Sequence, residues 1–268
     1  MILKEKVFVV TGGGNGIGRE VVLNLLKKGA FVAALDLDVK GLEETAKLAK
    51  ENQDKIRIYE LNITDRLKVE TMPELILKDF GRIDGLINVA GIIQPFVNVK
   101  ELDYNAVDRV MNVNFYGTLY TVKSFLPHLL KDEPTRIVNV SSMGGFLPVP
   151  GQGVYGASKA AVKLMTEALY AELKGTNVAV TLVFPGAIAT NITANSKVEM
   201  KRDESSAKDN KIKMMSADKA ADEIVKAMIK GKLYSYVGKD SKIMNFMYRR
   251  MPQKTTNLIA KKMASLIK

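Results

Sequence analysis

Two tyrosines in this chain are each followed four positions later by a lysine: Tyr155 with Lys159 in GQGVYGASKAAV, and Tyr170 with Lys174. Residues i and i+4 share a helix face, so either lysine can stand beside its tyrosine. Such a pair offers acid–base catalysis. A free phenol titrates near about 10, too high for work at neutral pH, and a neighbouring ammonium favours the phenolate. The spacing alone does not choose between the two pairs. Competing chemistry is scarce. There is no cysteine, which excludes disulfides, thiol nucleophiles and thiolate metal sites. The single histidine, His128, falls at a helix end in FLPHLLKDE, so no metal site is expected, and a Ser-His-Asp arrangement would have to use that residue.

A second stretch suited to chemistry is VFVVTGGGNGIGRE, which reads as strand, glycine turn and helix start. Gly12, Gly16 and Gly18 permit positive φ and close backbone approach. With Asn15 and Ile17 between them, they set helix N-terminal amides toward an anion such as pyrophosphate. The spacing Gly12-x-x-x-Gly16-x-Gly18 differs from G-x-G-x-x-G, and a tight turn without a ligand would look the same. Its place after the first strand favours binding. Asp36 ends the second strand, where a carboxylate accepts hydrogen bonds from ribose hydroxyls and repels a 2′-phosphate. Asn15 is neutral where a base could offset that repulsion. This favours NAD, with NADP as the alternative; Asp38 is the competing, exposed carboxylate.

The elements that must position these groups alternate. Short β-branched runs (KVFVVTG, FVAALD, IRIYELN, GLINVAG, RIVNVSS, VAVTLVFPG and later YSYVG) are separated by helical stretches such as Gly18–Lys28, Val39–Asn52, Met72–Phe80 and Val107–Leu130. Nearly continuous apolar strands between helices predict a parallel sheet covered on both faces. The 268 residues, 47% hydrophobic, fit one large α/β unit. No run approaches the roughly 18 apolar residues of a spanning helix, and MILKEKVFVVTGGG leads into a strand rather than a cleavage site. A cytoplasmic location is expected. The net charge of +11 is uneven: residues 191–268 hold 18 Lys and Arg against 8 Asp and Glu, whereas residues 1–190 hold 22 against 21.

With these residues in view, the chain resembles the short-chain dehydrogenase/reductase family from Lys6 to about Thr190. TGGGNGIG resembles the family's TGxxxGxG, and NVAG its NNAG with Val89 in place of the second Asn. NVNFYGT supplies Asn114, VNVSS followed by YGASK supplies the serine and Tyr-x-x-x-Lys, and PGAIAT resembles the segment that holds the nicotinamide carboxamide. The resemblance implies a Rossmann-type, doubly wound, three-layer α/β/α domain with a seven-stranded parallel sheet and a nicotinamide cofactor. It implies cofactor contacts from Asn88, Ala90 and Gly91, from Pro185, Gly186, Ile188 and Thr190, and from Asn62 and Ile63 in LNITD, where Asn62 replaces the usual aspartate. It implies that Lys159 binds the nicotinamide ribose beside Tyr155, that Ser142 holds the substrate oxygen, and that Asn114 anchors a water near Lys159. Assembly as a homodimer or homotetramer is expected.

On this reading Tyr155 is the acid–base, tuned by Lys159, and Ser142, thirteen residues before it, polarises the substrate in preference to Ser141. Tyr170 has no serine-ended strand before it at that spacing, and Lys174, followed by Gly175, reads as a last-turn lysine. The expected reaction interconverts a secondary alcohol and a ketone. A carbonyl reductase using NADP(H) and a nucleotide-sensing protein with little turnover are the alternatives. Phe146, Leu147, Pro148 and Val149 suggest an apolar substrate wall, and a lipid-like or steroid-like alcohol is conceivable. The domain reading is a catalytic unit over 1–240, with a mobile substrate-side segment near 191–216, and a basic amphipathic extension over 241–268. In the extension Leu258, Ile259, Met263, Leu266 and Ile267 share one half of a helical wheel, opposite Lys254, Lys261 and Lys268. Packing on the domain or a sister subunit, contact with an anionic membrane, and nucleic-acid binding compete for it. The last is disfavoured because no aromatic stacking platform accompanies the charge.

Overall fold

The computed structural model describes residues 1–196, 198 and 214–264. Its first half alternates strictly: β1 (Val7–Thr11), α1 (Gly16–Lys27), β2 (Phe31–Asp36), α2 (Val39–Leu48), β3 (Ile56–Glu60), α3 (Arg66–Phe80) and β4 (Gly85–Asn88). The second half runs α4 (Tyr104–Met111), α5 (Thr118–Leu129), β5 (Thr135–Val140), α6 (Gly153–Glu172) and β6 (Val178–Pro185). Then come β7 (Ile188–Ala189), α7 (Ile192–Asn195), β8 (Met215–Ser216), α8 (Ala217–Ile229), β9 (Tyr234–Val237), α9 (Lys239–Arg250) and α10 (Pro252–Met263). Seven strands form one parallel sheet in the order β3-β2-β1-β4-β5-β6-β9, and β7 and β8 form a separate two-stranded ribbon. All seven predicted strands are present.

β1, β4 and β5 are buried along their whole length, as the continuous apolar runs require. One apolar layer joins Val21, Val22 and Leu25 of α1 with Ile224, Val225 and Met228 of α8. The other joins Val69 and Ile76 of α3 with Val122, Phe125 and Leu129 of α5. Helix starts follow side-chain chemistry. Asn15, Asp38, Asp65 and Asp103 each accept a backbone N–H of the helix they open. No helix among the described residues is long and apolar enough to cross a membrane.

Two expectations change in shape. The single helix expected over Val107–Leu130 is three pieces: α4 begins earlier, at Tyr104, and a π-helical turn over Asn112–Gly117 separates it from α5. An inserted residue of this kind leaves the apolar period nearly intact, so the pattern does not betray it. The sequence boundary at 241 falls inside α9, which packs on β9 and on the turn after β5. Most of the charged stretch expected near 191–216 lies outside the described residues.

Candidate active site

The sheet order reverses between β1 and β4, and the turns leaving these two strands meet there. Gly12, at φ +73°, packs so closely that a Cβ on it would lie 2.9 Å from the Ala90 nitrogen. A Cβ on Gly18 would collide with the Gly12 carbonyl. Thr11 Oγ1 accepts the Val89 and Ala90 N–H groups at 3.1 and 3.3 Å, joining the two turns. Asn15 Oδ1 accepts the Gly16 N–H at 2.9 Å and opens α1.

A cleft of about 530 Å³ runs across these turns. Of the predicted cofactor residues, Gly12, Asn15, Gly16, Ile17, Gly18, Asp36, Asn62, Ile63, Ala90, Gly91 and Thr190 line it. Asp36 stands at one end: its Oδ2 accepts the Gly14 N–H at 2.9 Å and its Oδ1 the Asp38 N–H at 3.0 Å. Asp38 lines the same end, so two carboxylates face that part of the cleft. Arg19, on α1, does not line it; its guanidinium is spent on the carbonyls of Gly14 and Gly41 and on Thr45 Oγ1.

Ser142 follows β5, and Tyr155 and Lys159 lie one turn apart on α6. The Ser142 hydroxyl and the Tyr155 ring both border Gly144; the nearby hydroxyl favours the phenolate, but burial is the larger influence and pushes the phenol up. Lys159 is 4% exposed, and its Nζ donates to the Val140 carbonyl at 3.1 Å. Burial pushes this ammonium down to about 8. Gly91 keeps the space beside Lys159 open, since a Cβ there would lie 3.0 Å from Nζ. Ser141 is excluded from this cluster because its hydroxyl donates to the Lys159 carbonyl at 2.7 Å. Tyr170 lies fifteen residues beyond Tyr155, about 22 Å along the helix. It is 38% exposed, with Lys174 over its own ring.

Asn114 sits in the π-helical turn and is fully buried. Its Oδ1 accepts the Ile92 N–H, and its Nδ2 donates to the Ile92 carbonyl and to Ser158 Oγ, at 2.9, 2.9 and 3.0 Å. The amide thus clamps the segment after β4 to α6. Six predicted cofactor residues, Asn88, Tyr155, Lys159, Pro185, Gly186 and Ile188, are not among those lining the cleft. Asn88 does not line the cleft: its side chain donates to Asn139 and accepts from Thr121, because it lies inside β4 rather than in the turn. Pro185, Gly186 and Ile188 also stand back from the cleft. The turn they form is held from outside by Asp240, whose Oδ2 accepts the Ala187 N–H at 2.7 Å, and Ile188 pairs with Met215.

Sequence reasoning missed Asp240 and also Gln94. Gln94 is fully buried, and its Oε1 accepts the Tyr155 backbone N–H at 2.8 Å. Its Nε2 donates to the Gly151 carbonyl, and its own carbonyl accepts from Gln152 Nε2. No side chain of α6 caps that helix, so Gln94 supplies the acceptor from across the fold. The cleft wall also includes Leu37, Ile92, Val113, Ile192 and Asn195; position alone, beside predicted residues, could have flagged Leu37 and Ile92.

A glycine turn at a sheet's switch point, with a carboxylate at the end of the second strand beyond it, is the arrangement of a nucleotide-type α/β site. The comparisons with known proteins agree. The short chain dehydrogenase family model matches residues 6–201. The 3-oxoacyl-[acyl-carrier-protein] reductase FabG of Thermotoga maritima is 39% identical over 72% of this chain and 78% of its own. The fold matches a short chain dehydrogenase/reductase from Burkholderia phymatum in complex with NAD, with a TM-score of 0.81, 24% identity and coverage of 93% of this chain and 96% of that one. It also matches a short chain dehydrogenase from Burkholderia cenocepacia in complex with NADP, with a TM-score of 0.80, 26% identity and coverage of 97% and 99%. The chain belongs to the short-chain dehydrogenase/reductase family, and it is an oxidoreductase with a nicotinamide cofactor.

Proposed function

We propose that this oxidoreductase uses NAD(H) to interconvert a secondary alcohol and a ketone, with Tyr155 as the general acid–base. The observation that carries the reading is the grouping of Ser142 and Tyr155 around Gly144 with buried Lys159 against Gly91, a residue of the cleft whose far end is lined by two carboxylates. The cleft fits the cofactor: only glycine fits at Gly12 and Gly18, so the chain leaves backbone, not side chains, toward a diphosphate. Asp36 and Asp38 would take ribose hydroxyls and repel a 2′-phosphate, and Arg19 does not line the cleft, where it could pair with one. Thr190 and Gly91 would border the nicotinamide half.

The nicotinamide, when bound, accepts the hydride from the alcohol carbon or returns it to the carbonyl carbon. Ser142 donates to the substrate oxygen and stabilises charge that develops there. Tyr155 takes the hydroxyl proton in oxidation and returns it in reduction. Lys159 has one N–H on Val140, which leaves the others for ribose hydroxyls and the phenol. Gln94 and Asn114 hold Tyr155 and the wall at Ile92 in register. On the substrate side Leu147 belongs to the core, whereas Phe146 is half-buried among Phe184 and Tyr236.

The test is Tyr155→Phe, assayed against a panel of ketones with NADH absorbance. Turnover falls by about 10²–10⁴-fold, the usual worth of a positioned acid–base group, while NADH still binds. Full turnover in that variant refutes the assignment. An NADP(H)-dependent carbonyl reductase is the second reading, favoured by the NADP held in the Burkholderia cenocepacia structure.

A further inference from the structure

We propose that the outer face of α9 docks this protein on an anionic lipid surface. The residues of α9 that remain most exposed are Lys239, Lys242, Ile243, Phe246, Arg249 and Arg250. At about 100° per residue these six fall within an arc of roughly 120°. Ile243 is 54% exposed and Phe246 55%, unusually high for large apolar side chains on one short helix. Arg250 stacks its guanidinium 4.1 Å from the Phe246 ring centroid. The one acidic residue of α9, Asp240, is turned the other way, onto the Ala187 N–H, and the buried Ser241 hydroxyl donates to the Phe184 carbonyl. These two anchors fix which face looks outward. Among the described residues, the one ion pair made by these cations joins Lys242 to Glu223, at 3.6 Å.

The structure also relocates the apolar surface. Leu258, Ile259 and Met263 of α10 are partly buried, and Thr255 is fully so, because α10 folds back on α9. What α10 leaves outward is polar and basic, including Lys254, Lys261 and Lys262. From Ser241 to Lys268 there are seven basic residues and no acidic one. Basic side chains around two protruding apolar ones suit the headgroup boundary of an anionic bilayer, where cations meet phosphates and Ile243 and Phe246 reach the acyl region. A second copy suits this face poorly, since a two-fold contact sets the same basic patch against itself. Nucleic acid suits it poorly too: Phe246 is the one exposed ring on this face, with no second ring to stack successive bases.

The docking stands apart from the reaction proposed above; what it adds to that reading is a source for an apolar alcohol. α9 packs against the turn Met143–Gly145 that follows Ser142, so a docked helix sets the substrate side of the fold near the lipid.

The experiment is co-sedimentation of the full chain with vesicles of phosphatidylcholine containing about one-third phosphatidylglycerol, and with phosphatidylcholine alone. The parent pellets with the mixed vesicles, and high salt releases it. Each cation near the surface is worth about fivefold in partitioning, so Arg249→Glu with Arg250→Glu lowers it by about a hundredfold or more. Phe246→Ser with Ile243→Ser lowers it at least about tenfold. Cofactor binding and turnover of a soluble ketone stay at parental values in both double variants, which reports intact folding. The proposal is overturned if the parent fails to pellet, pellets equally with pure phosphatidylcholine, or keeps its partitioning in the variants. It is overturned equally by light scattering that shows a dimer lost in the Phe246 variant. Loss of the ketone reaction itself would leave the vesicle result untouched and bear only on the catalytic reading.

Discussion

Lys159 carries a cost that its proposed role explains, and Lys159→Met makes that cost measurable. Its ammonium is 4% exposed, and one carbonyl, that of Val140, is its hydrogen-bond partner. Burial lowers it from 10.5 to about 8. At about 1.4 kcal/mol per pH unit, that gap makes the folded protein about 3 kcal/mol less stable near neutral pH than it would be without the buried charge. Below pH 8 the lysine is protonated in both states and the full cost applies. Between about 8 and 10.5 the unfolded chain holds the proton that the folded one has released, so stability rises with pH across that window. Methionine keeps the stem and removes the charge, while forfeiting a hydrogen bond worth about 1 kcal/mol. The net gain is about 2 kcal/mol, or about 4–8 °C in Tm for a chain of this size. Thermal unfolding of the cofactor-free protein followed by circular dichroism at several pH values is the assay. The variant unfolds later than the parent at pH 7, the two curves converge toward pH 10, and NADH-linked turnover is lost. A variant that is no more stable at pH 7, with a parent whose stability does not rise above pH 8, would refute the reasoning.

Other outcomes follow from the same geometry. Asp36→Ala loosens the glycine turn for either cofactor, because Gly14 loses its acceptor, so the ratio of NADP to NAD affinity is the quantity to read. At a separation of about 4 Å the Coulomb repulsion is about 1 kcal/mol per charge pair in water and more at a protein surface, so that ratio moves toward NADP by at least about tenfold; a parent already preferring NADP contradicts the assignment. Gln94→Leu removes the acceptor for the Tyr155 N–H and leaves a buried donor unpaired at a cost of about 1–3 kcal/mol. Its kcat falls and its pH–rate profile shifts while the NADH dissociation constant holds, and Gln94→Glu, which restores the acceptor, recovers part of the rate. Tyr170→Phe, by contrast, stays within about twofold of parental turnover, since surface substitutions of this kind change little; a large loss there would reopen the choice between the two tyrosine–lysine pairs.

The five inner strands were legible because a parallel sheet buried on both faces writes itself as continuous apolar runs, whereas the edge strands β3 and β9, largely open to solvent, were read from shorter runs between turn signals. The glycine turn was legible because positive φ and contact with Ala90 leave room only for glycine at Gly12. Tyr155 and Lys159 were legible as a pair through helical spacing, and Tyr170 with Lys174 shows that spacing by itself does not place a pair at a site. The π-helical turn at Asn114 was not legible, since one extra residue in a turn barely disturbs the apolar pattern.

Period, turn chemistry and motif order therefore determined the sheet, the location of the cofactor cleft and the candidate acid–base. Tertiary structure decided the partners. Gln94 reaches Tyr155 across 61 positions and Asp240 reaches Ala187 across 53. Asn88 turns inward to Asn139 and Thr121, and α10 partly buries Leu258, Ile259 and Met263 of the tail's expected apolar face, whose Leu266 and Ile267 lie outside the described residues, while Ile243 and Phe246 of α9 stay outside. The physical reason is range. Backbone preferences act over a few neighbouring residues and leave a local record, whereas a buried polar atom must find its partner wherever the packed chain brings one.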